Sequence, residues 1–358
     1  MNITTAFGER SFLIPRADFV SDSQIEIIRL ILLKHGEKNP KLIKLIDEND
    51  DYDSFLINCV HRSFCLKMSF DKIPIFYEFS ILKGIEHLQI APQAATRGEI
   101  EFGETIYYTF TTFEYSDNLN FIGISSIADS ENINFDRSLS TMHSFEPPNE
   151  VHQYLDDTES FLQYQKISFE SILKYIDDSE KDLFNFVKFI YNEIHLEMNE
   201  IFFKNKILID SNKLVHGNLN SSTIISNSSI YKFVNFENSF IGNPMFDLCS
   251  ICLELGSSGM KEYDFVKKRI DSMKQKNNNS YSMNEYKICK SIWIRKKCLD
   301  ILKCYIKEIF ILNKQRPEKI TKMGKDFSIN FYKFNEIPIF NEHKDIFIRE
   351  FNNLILNN

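Results

Sequence analysis

The sequence predicts an α+β protein of two lobes, a small antiparallel β-rich N-terminal lobe and a larger, mainly helical C-terminal lobe. Short strand-like segments are concentrated between residues 40 and 113, and long amphipathic runs with helical spacing dominate the later chain. At 358 residues the chain can bury two hydrophobic cores, since single cores stop growing at roughly 250 to 300 residues. We expect a helical extension at 1–36, the β-rich lobe at 37–115 and the helical lobe at 116–358.

Composition argues against two classes of partner. The formal net charge is −8, and there is no long stripe of lysine and arginine. Nucleic acid is therefore not expected as a partner, because affinity for it depends on neutralising phosphates. The N-terminus does not resemble a signal peptide, and no uninterrupted apolar stretch of about 18 residues occurs. We expect a cytoplasmic protein that does not bind membranes.

The cysteine pattern also favours the cytoplasm. Seven cysteines are an odd number, and most fall within apolar runs, which is typical of reduced thiols rather than of a disulfide framework. Cys249 and Cys252 form a C-x-x-C spacing, which could indicate zinc. However, they share the predicted buried face of one helix, and no second pair follows at ligand spacing, so we expect a packing role.

The first lobe is predicted from a helix, three strands and a hairpin in order. Apolar residues at helical spacing, ending on a glycine, predict a helix over 24–36. Three strands are then expected over 40–46, 54–60 and 63–69. Segment 100–113 alternates around Gly103 and Glu104, which indicates a β-hairpin.

The second lobe is predicted to be helical almost throughout. A polar break after residue 274 separates two of its helices. Further helices are expected at 180–205, 245–255, 260–274, 285–312 and 343–356.

The most informative stretch is 213–248, which is predicted to form loop, strand, turn, strand, loop and helix. It contains His216-Gly217-Asn218, then Asn235-Phe236-Glu237, then Gly242-Asn243-Pro244 ahead of Asp247. This order and spacing resemble the catalytic core of the aminoglycoside phosphotransferase and choline kinase family. That family has HGDxxxxN, then D-[FW]-[EG], then G[DN]PxxDL, on a protein-kinase-like fold. The resemblance therefore implies that fold here.

The resemblance also implies a nucleotide site in the first lobe. A lysine on the family's third strand pairs with the nucleotide phosphates and with a glutamate on the next helix, positions that match Lys67 and Glu78. Glu114 and Tyr115 follow the hairpin, where the family's hinge meets the adenine. The alternative is that Lys67 and Glu78 are both solvated, but if they are buried they should pair with each other even without a nucleotide.

The three positions that carry the family's chemistry have changed. Asn218 stands at the position of the catalytic aspartate, Thr223 at that of the metal-binding asparagine and Asn235 at that of the metal-binding aspartate. An amide cannot act as a base, and magnesium prefers anionic oxygens, which neither Thr223 nor Asn235 provides. Glu237 could still bind a metal. His216 belongs to the turn that Asp247 braces in the family, so what persists is the scaffold.

The turn between the first two strands also differs from the family. The family covers the phosphates there with small, often glycine-bearing residues, whereas 47–53 has five carboxylates and no glycine. Carboxylates repel phosphates, and without glycine the backbone cannot easily approach them. This turn argues against ordinary ATP binding.

These observations predict a pseudokinase that binds a protein partner or serves as a structural component, with no cofactor. The alternative is an active, atypical small-molecule kinase that uses ATP and magnesium to phosphorylate a hydroxyl on an aminoglycoside-, choline- or sugar-like substrate. Sensing a nucleotide or metabolite without turnover is a third possibility. The sequence does not predict the oligomeric state.

Overall fold

Two compact units make up the protein. The computed structural model describes residues 20–38, 40–48, 52–60, 63–112, 120–121, 127, 133–163, 181–226, 231–255, 260–277, 281–306, 337–339, 342 and 345. Of these, 20–121, 133–138 and 221–237 belong to the first unit, and the remainder belongs to the second. Two segments from the range predicted to form the helical lobe, 133–138 and 221–237, thus return to the first unit.

A five-stranded antiparallel sheet forms the centre of the first unit, in the order β1-β2-β3-β5-β4. Its strands are β1 Pro40–Glu48, β2 Asp53–Cys59, β3 Ser63–Ser69, β4 Gln93–Phe102 and β5 Glu104–Thr112. The three predicted strands and the hairpin at Gly103 are confirmed. The hairpin's first strand begins at Gln93 rather than at residue 100, because the alternation is weaker in its first half.

Helix α1, Asp22–Lys34, packs on one face of this sheet. Ser21 caps its N-terminus and forms a capping box with Gln24, which is why it starts two residues before the predicted position. Ile28 and Ile31 are completely buried and join the alternate residues of β2 and β3 in a single core. The helix therefore shares the hydrophobic core of the sheet.

Helix α2, Lys72–Ile85, packs against β3, β4 and β5. Asp71 caps it by accepting a hydrogen bond from the backbone N–H of Ile73. Its buried face carries Ile75, Leu82 and Ile85 at helical spacing. Glu78 lies on that same face, so a carboxylate is buried among apolar side chains.

A small sheet of order β10-β9-β6 completes the first unit. Its strands are β6 Asn120–Phe121, β9 Ile224–Ser226 and β10 Tyr231–Phe233. The backbone N–H of Phe233 donates to the carbonyl of Ile90 at 2.8 Å. Phe135, from the start of the next helix, packs edge-on against Tyr231 and Phe233.

The second unit is mainly helical, as predicted. Its helices are α3 Ile133–Ser144 (from Leu139 onward), α4 Asn149–His152, α5 Lys181–Ile209, α6 Met245–Leu255, α7 Met260–Asn277 and α8 Met283–Ile306, and residues 158–163 are also helical. A small sheet of order β7-β11-β8 joins β7 Asp156–Asp157, β11 Phe240–Gly242 and β8 Lys213–Val215. The helix predicted at 343–356 lies almost entirely outside the described residues.

Helix α8 organises the second core. It packs against both α5 and α6, and its Trp293 is completely buried beside Phe161 and Phe246. Throughout the part of the chain that the structure describes, no helix is long and apolar enough to cross a membrane.

The described cysteines carry free thiols and lie at Cys59, Cys65, Cys249, Cys252, Cys289 and Cys298. Cys249 and Cys252 are buried on α6, and burial raises the pKa of the Cys252 thiol to about 12. No group of three or more histidine, cysteine, aspartate or glutamate side chains within the described ranges is arranged to hold a metal ion. Since both side chains are buried on α6, the C-x-x-C pair packs in the interior of the second unit.

Candidate functional site

The alternation of β3 places Lys67 opposite the core face of the sheet. Phe64, Leu66 and Met68 point into the core shared with α1, so Lys67 points to the other side, where α2 packs. There its Nζ lies 3.6 Å from Oε2 of Glu78, and both residues are buried. The two residues predicted to pair are thus brought together.

Glu237 makes the shorter contact with Lys67. Its Oε2 lies 2.9 Å from the Lys67 Nζ and accepts a hydrogen bond from it. Only 5% of the lysine side chain and 11% of the Glu237 side chain are exposed, so this ion pair is well shielded from water. The structure therefore gives Lys67 two carboxylate partners, with Glu237 the nearer.

Tyr52 completes the enclosure of Lys67. Its hydroxyl donates a hydrogen bond to Oε1 of Glu237. Its ring centroid lies 3.7 Å from the Lys67 Nζ, which is a close cation–π contact. Tyr52 itself is buried, although it belongs to the acidic turn between β1 and β2.

A tight turn fixes the position of Glu237. Residues Phe236–Asn238 form one turn of 3-10 helix, in which Phe236 is completely buried and its N–H donates to Oε1 of Glu78 at 3.2 Å. The preceding Asn235 has φ +71°, a left-handed conformation that asparagine tolerates better than most residues. The sequence Asn-Phe-Glu thus aims the carboxylate at Lys67.

The environment shifts the pKa values of the two glutamates in opposite directions. Burial raises the pKa of Glu78, and the neighbouring charge of Glu237 raises it further against the opposing effect of Lys67. Burial also acts to raise the pKa of Glu237, but the Lys67 ammonium and the Tyr52 hydroxyl outweigh it and lower that pKa. Glu237 is therefore the carboxylate that stays ionised beside Lys67.

The residues at the family's metal positions do not fit a magnesium site. Oδ1 of Asn235 accepts a hydrogen bond from the Ser54 hydroxyl at 3.1 Å, and Thr223 is completely buried. Both oxygens of Glu237 are already engaged by Lys67 and Tyr52. Magnesium needs several hard, preferably anionic oxygens at octahedral positions, and this set offers none that is uncommitted.

The space beside Lys67 is also small. A cavity of about 20 Å³ lies among Ser54, Lys67, Glu78, Thr109 and Asn235. A volume of this size has room for about one water molecule.

Two parts of the predicted nucleotide site are the acidic turn and the hinge. The described end of the turn has a structural role, and the hinge lies outside the described residues. Glu48 and Asp53 face each other at the end of the β1–β2 ladder, and Asp53 accepts a hydrogen bond from the Gln24 side chain at 2.8 Å. The acidic turn is therefore tied to α1 at Asp53. Glu114 and Tyr115, the predicted hinge, lie outside the described residues, as do 49–51.

In the second unit, Asp247 braces the His216-Gly217 turn, as the resemblance implies. Its carboxylate accepts hydrogen bonds from the backbone N–H groups of His216 at 2.9 Å and Gly217 at 3.0 Å. Nε2 of His143 lies 2.9 Å from Oδ2 of the same carboxylate, and both side chains are completely buried. His143 is thus part of the brace that shapes the loop.

Glycine is required at position 217. Its φ is +76°, and a Cβ there would lie 2.0 Å from the carbonyl oxygen of Asn238. Next to it, Nδ1 of His216 accepts a hydrogen bond from the N–H of Asn218 at 3.3 Å. The turn therefore holds Asn218 in a defined position.

A lysine holds the Asn218 side chain. Nζ of Lys297, from α8, donates to Oδ1 of Asn218 at 3.2 Å. Lys297 also has an acidic neighbour, Asp300, whose Oδ2 lies 3.9 Å from its Nζ. A cation therefore lies directly beside the position where the family has its catalytic aspartate.

Sequence reasoning did not identify Tyr52, Ser54 or Lys297 as site residues. Tyr52 carries a weak signal, since it is the single aromatic residue in an acidic turn. Ser54 and Lys297 carry none, because their partners are 181 and 79 residues away in sequence.

Solved structures that match this chain include small-molecule phosphotransferases. The choline kinase LicA from Streptococcus pneumoniae matches at 16% identity and a TM-score of 0.54, over 79% of this chain and 90% of that one. A spectinomycin phosphotransferase bound to ADP and spectinomycin matches at 13% and 0.51, over 87% and 94%. An aminoglycoside 2'-phosphotransferase bound to GDP matches at 10% and 0.53, over 88% and 100%.

Neither a family model nor a curated protein matches the sequence. At the identities found, the structural matches establish the fold, which is the two-lobe α+β, protein-kinase-like fold of these kinases, and they do not transfer an activity.

Proposed function

We propose that this protein is a pseudokinase, which keeps the phosphotransferase fold but transfers no phosphate and acts by binding a protein partner or as a structural component. One observation carries the proposal. The lysine at the phosphate-binding position is already neutralised by Glu237 at 2.9 Å and covered by the Tyr52 ring at 3.7 Å. A phosphate would have to displace both.

The position of the catalytic base supports the same conclusion. Asn218 offers an amide oxygen that already accepts a hydrogen bond from Lys297, and an amide does not accept a proton at neutral pH. Losing a positioned base forfeits roughly 10²- to 10⁴-fold in rate. A nearby lysine also opposes any developing positive charge on that side of the reaction.

We further propose that the protein works without ATP or magnesium as a cofactor. Phosphoryl transfer on this fold depends on positioning and on metal ions that neutralise the phosphates. Asn235 and Thr223 provide neutral oxygens, and Glu237 is committed to Lys67 and Tyr52. The preference of magnesium for anionic ligands supports the absence of a metal.

One feature supports a protein-binding role, and another supports a cytoplasmic location. On the exposed face of α5, Phe189, Leu196 and Phe203 recur every seven residues and are each about half exposed, and exposed apolar side chains grouped on one face are typical of protein contacts. Free thiols at the described cysteines support a reducing compartment.

A phosphate-transfer assay tests the proposal. The protein, at a concentration comparable to that of the acceptor, is incubated with labelled ATP and magnesium. Choline, kanamycin and spectinomycin are each tested as the acceptor. We expect no transfer above a blank without protein. The variant Lys67→Met is the control, since any transfer from a contaminant persists in it, whereas transfer that disappears in it would refute the proposal.

A further inference from the structure

We infer that Glu237 and Tyr52 act as an internal ligand for Lys67, closing an anion site that would accept a diphosphate or the phosphates of a nucleotide once the Glu237 carboxylate is removed. This inference rests on the proposed function and specifies how nucleotide is kept out. It assigns the exclusion to two named side chains, in addition to the missing metal ligands.

The geometry resembles that of a bound anion. Glu237 presents one oxygen to the Lys67 ammonium at 2.9 Å and the other to the Tyr52 hydroxyl. A phosphate group makes the same kinds of contact, since it accepts hydrogen bonds from cations and hydroxyls through several oxygens. The carboxylate therefore satisfies the donors that a phosphate would use.

The local charge excludes a second anion. Lys67 contributes one positive charge, whereas Glu78 and Glu237 contribute two carboxylates within 3.6 Å of it. An additional phosphate would enter a site with no unbalanced positive charge, at short range and away from bulk water, where repulsion between like charges is strong. Removing Glu237 takes away the nearer of the two carboxylates, at 2.9 Å, and leaves Lys67 with Glu78 at 3.6 Å, so the repulsion that meets an entering phosphate falls.

The internal ligand is also rigid. Glu237 sits in a 3-10 turn anchored by the buried Phe236, whose N–H donates to Glu78, and by Asn235, which accepts from Ser54. Tyr52 is held at the start of β2, next to Asp53, which is bonded to α1. We call the site open when Glu237 has moved away from Lys67. Because so many contacts hold Glu237 and Tyr52 in place, few molecules are in this open form at any time. If the open form is about 1% of the molecules, the apparent affinity for an anion falls about 100-fold.

Calorimetric titration with inorganic diphosphate, and separately with ATP in the absence of metal, tests the inference. We expect the wild-type protein to show no saturable binding at millimolar concentration. The variant Glu237→Ala is expected to bind both probes about 100-fold more tightly, as the fraction of open sites approaches one. Glu237→Gln, which keeps a neutral hydrogen-bonding side chain of the same size, serves if the alanine variant does not fold.

Two controls locate the gained site. The double variant Lys67→Met/Glu237→Ala is expected to lose the gain, because the cation is gone. Glu86→Ala removes a glutamate from a Lys83–Glu86 surface pair in the same unit and is expected to behave like wild type.

The outcomes separate the inference from the proposed function. If neither the wild-type protein nor either folded Glu237 variant binds diphosphate or ATP, the inference of an internal ligand is overturned while the pseudokinase proposal stands. A gain that persists without Lys67 also overturns the inference, since the anion then binds elsewhere. Micromolar binding of ATP by the wild-type protein would overturn both.

Discussion

Exchanging each of the two Lys67 partners for glutamine should have unequal effects on stability. Glu237→Gln removes the charge nearest to Lys67, at 2.9 Å, and weakens the hydrogen bond from Tyr52. Glu78→Gln removes a more distant charge, at 3.6 Å, and leaves an amide oxygen that can still accept from the N–H of Phe236. We therefore expect Glu237→Gln to be the more destabilising change.

The size of each stability loss depends on which interactions the glutamine side chain retains. Breaking a buried ion pair completely costs roughly 3 to 5 kcal/mol, but Glu237→Gln leaves Lys67 with Glu78 and still accepts one hydrogen bond. Since a hydrogen bond to a charged group contributes about 1.5 to 3 kcal/mol, we expect a loss of about 2 kcal/mol in the free energy of unfolding. For Glu78→Gln we expect a change below about 1 kcal/mol, or a gain, because a buried glutamate with a raised pKa is costly to ionise.

The pH dependence has opposite signs for the two groups. The pKa of Glu237 is lowered in the folded protein, so its contribution is present above its unfolded pKa and is lost as the pH falls through the folded value. The pKa of Glu78 is raised, so its contribution is complete below its unfolded pKa and is lost as the pH rises through the folded value. The deficit of Glu237→Gln should therefore shrink towards acid pH, and the relative stability of Glu78→Gln should rise towards neutral pH.

Urea unfolding of both variants and wild type at neutral and acid pH measures these differences. A larger loss for Glu78→Gln than for Glu237→Gln at neutral pH would refute the reasoning, because it would make the helix glutamate the principal partner of Lys67.

Three further changes test other parts of the account. Lys67→Met leaves two carboxylates buried without their cation and should lower the unfolding free energy by roughly 3 to 5 kcal/mol, so an unchanged urea midpoint would contradict the buried cluster. Gly217→Ala forces both a clash and a left-handed φ and should lower the melting temperature by several degrees; a wild-type melting curve would show that the loop can move aside. Asn218→Asp should be tolerated, because Lys297 can pair with the new charge, and restoring the family residues at the two metal positions as well should still give no phosphate transfer; robust transfer would show that the nucleotide site is open.

The elements of this fold could be predicted because their signals are local. Short apolar segments identified β2 and β3, and the family resemblance matched Lys67 and Glu78 to a lysine and a glutamate that pair, which the structure places 3.6 Å apart. The family pattern likewise located the His216 turn and its brace at Asp247.

The contacts that decide the proposed function could not be predicted in the same way. Tyr52 and Lys67 meet Glu237 across 185 and 170 residues of sequence, and Glu237 reads from the pattern as a possible metal ligand rather than as the partner of a lysine. Its role depends on which direction the 3-10 turn aims it, and only the folded backbone fixes that direction.

The central claim is that the protein binds no nucleotide with magnesium. The most direct test measures the melting temperature of the wild-type protein as ATP is added, with and without magnesium. A site with a dissociation constant of about 10 µM would add about 2.7 kcal/mol of stability at about 1 mM ATP, which is a shift of several degrees. The account predicts no magnesium-dependent shift, because Lys67 is already neutralised and the metal positions are neutral. A saturable, magnesium-dependent shift of that size would contradict it.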